Sequence, residues 1–258
     1  MKRPSRVVEE SRVARTAPRA PITVLPQYWS DEGTRRRYLD DLFDGTAGDY
    51  DFVENLLGLG SGPWYRRTAL KRAGLKPGMH VLDVATGTGL VAREAIAIIG
   101  REGRLFGLDP SAGMLGQAGA LHVPLVRGIG ERLPFHDASF DFVSMGFALR
   151  HVADLEALFA EMRRVLRPGG TACVLELTCP QNKIVQRPLR FFMTRAVPTV
   201  ATLWRRREQA RALMQFFWDT IEVCVPPERV LGALAAAGLA PRRTVSLGMF
   251  SDYTGRKP

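Results

Sequence analysis

Val81-Leu82-Asp83-Val84-Ala85-Thr86-Gly87-Thr88-Gly89 is an apolar run that breaks into a glycine turn, and Leu90–Ile99 behind it carries helical spacing. A strand, a tight turn and a helix in that order open a β-α-β unit. Glycines suit a backbone that bends sharply and approaches a ligand with no Cβ in the way. Twenty residues past Gly89, at the end of the next apolar run, stands Asp109. A carboxylate there can accept both hydroxyls of a ribose. Gly87-Thr88-Gly89-Leu90-Val91-Ala92 also satisfies the dinucleotide pattern G-x-G-x-x-A, so the turn alone leaves more than one nucleoside cofactor open.

Outward from that turn the same rhythm continues. Further strands are predicted at Arg104–Leu108, Val123–Val126, Ser139–Met145, Thr171–Leu177 and Thr244–Leu247, with a short last one at Phe250–Tyr253. Helices are predicted at Ala112–Ala120, Leu155–Val165 and Glu228–Ala237, and Arg167-Pro168-Gly169-Gly170 reads as a stop. Alternating strands and helices predict an α/β fold, a doubly wound, mainly parallel seven-stranded sheet. Residues 36–72 read as short helices preceding the core. Residues 181–225 interrupt the alternation and read as a helical insertion before the sixth strand, lying over the carboxyl edge of the sheet. The expected organisation is a basic tail over 1–27 and one domain over 28–258.

The chain has 258 residues, 46% of them hydrophobic, and a formal charge of +10. The excess is concentrated: Lys2, Arg3, Arg6, Arg12, Arg15 and Arg19 near the start, and Lys183 to Arg211 in the insertion. Two local basic segments do not amount to a nucleic-acid-binding surface, and no base-stacking motif follows the fourth strand. Cys173, Cys179 and Cys224 lack C-x-x-C spacing, so neither a disulfide framework nor a metal site is expected, and a cytoplasmic setting fits. No run of 18 apolar residues suggests a membrane span.

Asp83 narrows the cofactor. An acid inside the strand, four residues ahead of Gly87, suits a cationic amino-acid cofactor and repels a pyrophosphate. Leu133-Pro134-Phe135, Phe140-Asp141 and Leu166-Arg167-Pro168-Gly169-Gly170 are not dehydrogenase signatures. Together these favour S-adenosylmethionine and a methyltransferase.

Further blocks carry a resemblance. They are Tyr50-Asp51 and Asn55, Trp64 and Arg66, Glu131-Arg132-Leu133-Pro134-Phe135, Ser139-Phe140-Asp141, Phe147-Ala148-Leu149-Arg150-His151-Val152, and Leu175-Glu176-Leu177-Thr178 with Pro180. With the glycine turn and Asp109, they make Phe43 to Gly238 resemble the ubiquinone/menaquinone biosynthesis C-methyltransferase family. The resemblance implies that Thr88, Asp109, Ile129, Gly130 and Gly146 line the cofactor, joined by Asp83, Gly87 and Gly89 of the turn. It places Tyr50, Arg150 and His151 near the ring to be methylated. The family usually has Asn or Asp where Ile129 stands, often Ser where Gly146 stands, and Asn where His151 stands.

The reaction so implied is C-methylation of a prenylated phenol or quinol. Methylation of another lipid or secondary metabolite, including a phospholipid headgroup nitrogen, is the alternative, as is a cofactor-binding partner without activity. A ring carbon becomes nucleophilic when a neighbouring hydroxyl, pKa near ~10, loses its proton. His151 is the candidate base, Arg150 the cation that stabilises the phenolate, and Tyr50 a hydrogen-bond partner. Glu176 is a further residue expected to face the site. A prenyl tail needs an apolar tunnel, for which Phe191, Phe192, Phe216, Phe217 and Trp218 are candidates. The insertion's arginines suit peripheral contact with an anionic membrane. A lipophilic small molecule is the expected partner, and a homodimer is compatible with the chain.

Overall fold

The computed structural model describes residues 25–58, 60–180, 182–199, 207–246 and 248–258. Most of the predicted basic tail, with its arginines, lies outside the described residues, as do Trp204, Arg205 and Arg206 of the insertion. Leu25, assigned to the tail in the sequence reading, is buried with Trp29 beneath a later helix.

Strands β1 (His80–Val84), β2 (Arg104–Asp109), β3 (Leu125–Arg127), β4 (Phe140–Gly146), β5 (Leu166–Leu177), β6 (Ala240–Ser246) and β7 (Phe250–Arg256) form one sheet in the order β3-β2-β1-β4-β5-β7-β6. The first five are parallel, and β7 runs antiparallel to β5 and to β6. Order reverses at β1, so the carboxyl ends of β1, β2 and β4 open a crevice there, where ligands of such sheets bind. The edges are β3, three residues long, and β6, which carries Pro241, Arg242 and Arg243.

Side-chain alternation along the strands builds two cores. Leu82 and Val84 of β1, with Val143 and Met145 of β4, face helices α5 (Leu155–Val165) and α8 (Pro227–Ala236). Val81, Phe142 and Cys173 face α2 (Gly62–Arg72) and α3 (Leu90–Ile99). Full burial of a Leu or Phe such as Leu158 or Phe159 stabilises the fold by about 1.5–3 kcal/mol. A third cluster, rich in aromatics, sits over the carboxyl edge. There α1 (Glu32–Leu57) meets α7 (Arg207–Glu222) and the π-helical turn Phe192–Ala196 that follows α6 (Lys183–Phe191).

Two elements differ from expectation. The short helices expected after residue 36 are one 26-residue helix, α1, followed by α2. It begins on a capping box in which the Asp31 carboxylate accepts the Thr34 amide at 2.9 Å and the Thr34 hydroxyl accepts the Asp31 amide at 3.1 Å. It runs through Gly45 and Gly48 because Thr46 and Ala47 between them are buried. The Arg167-Pro168-Gly169-Gly170 turn lies inside β5: Phe140 pairs with Leu166 and Phe142 with Thr171, so the turn bulges from the ladder, with Gly169 at φ +79°. Between β2 and β3, helix α4 (Ala112–Ala118) starts on Ser111, whose hydroxyl accepts the Met114 amide at 3.0 Å.

Candidate active site

β1 ends at Val84, and Ala85 turns the chain in the left-handed region (φ +52°), as Phe147 does just after β4 (φ +58°). Such conformations cost non-glycine residues about 1–3 kcal/mol and gather at functional sites. Gly87 (φ +56°) and Gly89 (φ +90°) carry the turn into α3. The Gly87 amide donates to Asp109 Oδ2 at 2.8 Å and the Ser111 amide to Asp109 Oδ1 at 2.9 Å. The Asp109 carboxylate is thereby fixed at the end of β2. Burial pushes its pKa up to about 6.

Asp83 does not meet the cofactor crevice as expected. The period of two along β1 sends its side chain onto the sheet face beneath α3, opposite Ser144 of β4. Its oxygens accept the Ser144 hydroxyl at 2.6 Å and the Thr86 hydroxyl at 2.8 Å, and burial raises its pKa to about 6. Asp83 therefore fastens the turn from behind. Gly89 also stands off the crevice: a Cβ there would lie 2.4 Å from Leu121 Cδ1, so its role is the close start of α3.

The other predicted residues converge. Thr86, Gly87, Thr88, Asp109, Met114, Ile129, Gly130 and Gly146 line one end of a cavity of about 360 Å³. Phe43, Tyr50, Phe147, Arg150, His151, Leu189, Phe192, Phe217 and Phe250 line the rest. A Cβ on Gly130 would meet Leu158 Cδ1 at 2.6 Å, and one on Gly146 would meet Val91 Cγ2 at 2.4 Å. Val91 thus occupies the space a serine side chain would need at Gly146. Of the five insertion aromatics expected to form a tunnel, Phe192 and Phe217 line the cavity. Phe216 and Trp218 are core, and Phe191 is exposed.

Arg150 is 2% exposed. Its Nη1 donates to Glu176 Oε1 at 2.6 Å and to the Phe147 carbonyl at 2.9 Å, and its Nε donates to Thr220 Oγ1 at 3.1 Å. Nη2 has no acceptor among the described residues. Glu176, near the end of β5, does not itself line the cavity as expected; it stands behind Arg150 and reaches the site only through this pair. His151 stacks on Phe216 (5.5 Å, 14° between planes) with Phe43 edge-on at 5.3 Å. Both ring nitrogens are buried without a partner among the described residues. Burial, then the nearby charges of Arg150 and Arg35, hold its pKa well below the usual histidine value, so the ring is neutral. Tyr50 packs edge-on to Phe217 at 6.1 Å, and burial pushes its hydroxyl up to about 12, so it stays protonated.

Helix α1 supplies contacts that sequence reasoning left without roles. The Arg35 guanidinium donates to the His151 carbonyl at 2.9 Å. The Asp44 carboxylate accepts the Ser111 hydroxyl and, at 2.9 Å, the Gly113 amide. The Asp51 carboxylate accepts the Thr88 hydroxyl, and Glu54 pairs with Arg66 of α2. The helix thus straps the ends of β2, β1 and β4. The signal in the sequence was the spacing of Tyr50, Asp51 and Glu54, which share one helix face next to aromatic residues.

The family described as ubiE/COQ5 methyltransferase matches residues 31–240. The chain belongs to the ubiE/COQ5 methyltransferase family. It is an S-adenosylmethionine-dependent methyltransferase. The demethylmenaquinone methyltransferase of Mycobacterium bovis (strain BCG / Pasteur 1173P2) is 37% identical over 225 residues, spanning 86% of this chain and 93% of that protein. The ubiquinone/menaquinone biosynthesis C-methyltransferase UbiE of Hahella chejuensis is 30% identical over 233 residues, 86% of this chain and 92% of the relative. Among solved structures, a SAM-dependent methyltransferase from Aquifex aeolicus superposes with a TM-score of 0.56 at 19% identity over 75% of this chain and 89% of its own. Phosphoethanolamine N-methyltransferase 2 of Haemonchus contortus, in complex with S-adenosyl-L-methionine, does so with 0.56 at 18% identity, over 87% of this chain and 60% of its own. These two likenesses show that the ubiE/COQ5 chain shares the methyltransferase fold.

Proposed function

We propose that the protein methylates a ring carbon of a prenylated quinol or phenol. The observation that carries this reading is one continuous cavity with two ends: Asp109, Thr88 and Gly130 at a polar end, and Phe43, Phe192, Phe217 and Phe250 at an aromatic one. The two ends meet at Gly146 and the turn holding Arg150 and His151. The names of the two relatives support the choice of acceptor.

The polar end suits S-adenosylmethionine. Asp109 offers a fixed carboxylate for the ribose hydroxyls, and Gly130, with no room for a Cβ, leaves backbone against the base. Ile129 contributes backbone contact only, lacking the polar side chain usual at that position. When bound, the cofactor supplies an electrophilic sulfonium methyl, so transfer depends mainly on alignment.

The aromatic end must hold the ring and make its carbon nucleophilic. Glu176 offsets much of the Arg150 charge, and Arg150 Nη2, which the pair does not use, is the donor for the ring oxygen. The neutral His151 offers a ring nitrogen as acceptor for the acidic hydroxyl. Burial makes a full imidazolium costly, so it draws the hydroxyl proton only as the methyl transfers. The methylated carbon then loses its own hydrogen as a proton, the ring and its hydroxyl are restored, and one proton leaves for each methyl added. Tyr50 donates from a hydroxyl that stays protonated. Access is proposed along α6. That helix exposes Ile184 (81%) and Phe191 (65%) next to Lys183, Arg187 and Arg190, while Leu189 and the following Phe192 line the cavity. Among the described residues no helix is long and apolar enough to cross a membrane, so the proposed contact with lipid is peripheral.

The test is anaerobic incubation with S-adenosylmethionine and a reduced prenylated naphthoquinol or benzoquinol bearing one unsubstituted ring position. Mass spectrometry should show one added methylene, located on carbon by fragmentation. Removing Arg150 alone strands Glu176 and costs about 3–5 kcal/mol. The Arg150→Met/Glu176→Leu double variant removes both charges, and it should stay folded with turnover lost. Cofactor binding without any product from either acceptor would overturn the reading.

A further inference from the structure

Glu54 and Arg66 form a pair that is incomplete by itself. Arg66 Nη2 meets Glu54 Oε1, yet Glu54 Oε2 and Arg66 Nε are both buried with no partner among the described residues. Arg66 is 2% exposed, and burial raises the Glu54 pKa against the pull of Arg66. A buried polar atom left unpaired is costly, and more so in a charged group. One is an acceptor and the other a donor, on two paired residues that both line the cavity, and they suit an occupant with a donor and an acceptor of its own.

The placement says which end of the cavity that occupant enters. Glu54 lies one helical turn past Asp51, which holds the Thr88 hydroxyl. The Arg66 guanidinium lies 5.7 Å from the ring centre of Phe147, the residue that follows Gly146. The pair therefore stands between the glycine turn and the end of β4, on the opposite side of β1 from Asp109. At the start of α2 a Cβ on Gly62 would come within 2.7 Å of Arg66 Nη1 and 3.3 Å of Glu54 Oε1, so a glycine leaves the pair its space.

We propose that Glu54 and Arg66 clasp the α-amino-acid end of the cofactor, its ammonium on Glu54 Oε2 and its carboxylate on Arg66 Nε. A zwitterion presents one positive and one negative group on adjacent atoms, which matches an adjacent carboxylate and guanidinium. A quinol has no such charges. This inference rests on the cofactor reading above and assigns the subsite that Asp83 was expected to fill.

Isothermal titration with two ligands tests it. S-adenosylhomocysteine carries the amino-acid end, and 5′-methylthioadenosine keeps the nucleoside and thioether without it. Glu54→Gln replaces the charged acceptor. Arg66→Lys keeps a cation against Glu54 and removes Nε. Each variant should bind S-adenosylhomocysteine at least tenfold more weakly than the wild type, with 5′-methylthioadenosine unchanged within twofold. The second ligand reports whether each variant is folded. Unchanged S-adenosylhomocysteine affinity, or an equal loss for both ligands, overturns the clasp while leaving the methyltransferase standing. A wild-type protein that binds neither ligand overturns the cofactor reading and the clasp with it.

Discussion

Asp83, inside β1, and Asp109, at the end of the neighbouring β2, have the same raised pKa, about 6, and the shared cause is burial. Their duties differ. Asp83 spends its lone pairs on Ser144 and Thr86, whereas Asp109 is held by two backbone amides with its outer face on the cavity. Holding both carboxylates charged costs the free protein stability above pH 6. That cost is relieved as the pH falls from about 6 toward the ordinary 3.8, because the folded form then binds protons more readily than the unfolded chain. His151 acts in the other direction, with its contribution lost as the pH falls below about 6.5. Cofactor affinity follows Asp109, since protonation removes the charge that favours ribose hydroxyls. Titration of S-adenosylhomocysteine should show about tenfold weaker binding at pH 5 than at pH 7.5, the ionised fraction falling by that factor. A flat profile would show that Asp109 does not contact the ligand. Asp109 was legible because it stands where a strand ends, whereas Thr88 and Gly130, which also line the cavity, came from the family resemblance. Asp83 was misread because a residue inside a strand points to a sheet face. Glu54 and Arg66 went unassigned because their pairing joins two helices, which no local spacing announces.

At the scale of elements, α6 is the segment whose two sides face different surroundings. Ile184, Val185 and Phe191 are exposed, interleaved with Lys183, Arg187 and Arg190, while Leu189 points to the cavity. Apolar area and cationic charge on one short helix add in binding to an anionic bilayer. The protein should sediment with phosphatidylserine-containing liposomes at low salt and be released at high salt. The Ile184→Ser/Val185→Ser/Phe191→Ser variant should lose about tenfold or more in partition while keeping turnover on a water-soluble, short-tailed quinol. Equal sedimentation of the two proteins would remove α6 from the contact. The strand–helix alternation was legible because apolar runs and glycine turns agree along the chain. α1 was not, because Gly45 and Gly48 signal a break. Tertiary contacts override that signal: Asp44 ties to Ser111, and Thr46 donates its hydroxyl to the Leu42 carbonyl at 2.7 Å.

Over the whole molecule the cavity touches both cores and the aromatic cluster, so a ligand seated in it stabilises the fold as a unit. A ligand at about 100 times its dissociation constant adds about 2.7 kcal/mol. For a domain of this size each kcal/mol moves the midpoint by roughly 2–4 °C. S-adenosylmethionine should therefore raise Tm by about 5–10 °C in a calorimetric scan, and the absence of a shift at saturating ligand would contradict the assignment. The sheet has a further consequence at its margins. Its two edges are a three-residue strand and a strand opened by Ala240-Pro241-Arg242-Arg243. Proline withholds a backbone donor and arginines resist close approach of another chain. Strand addition between molecules, the route to open-ended fibrils and aggregates, is thus obstructed at both margins.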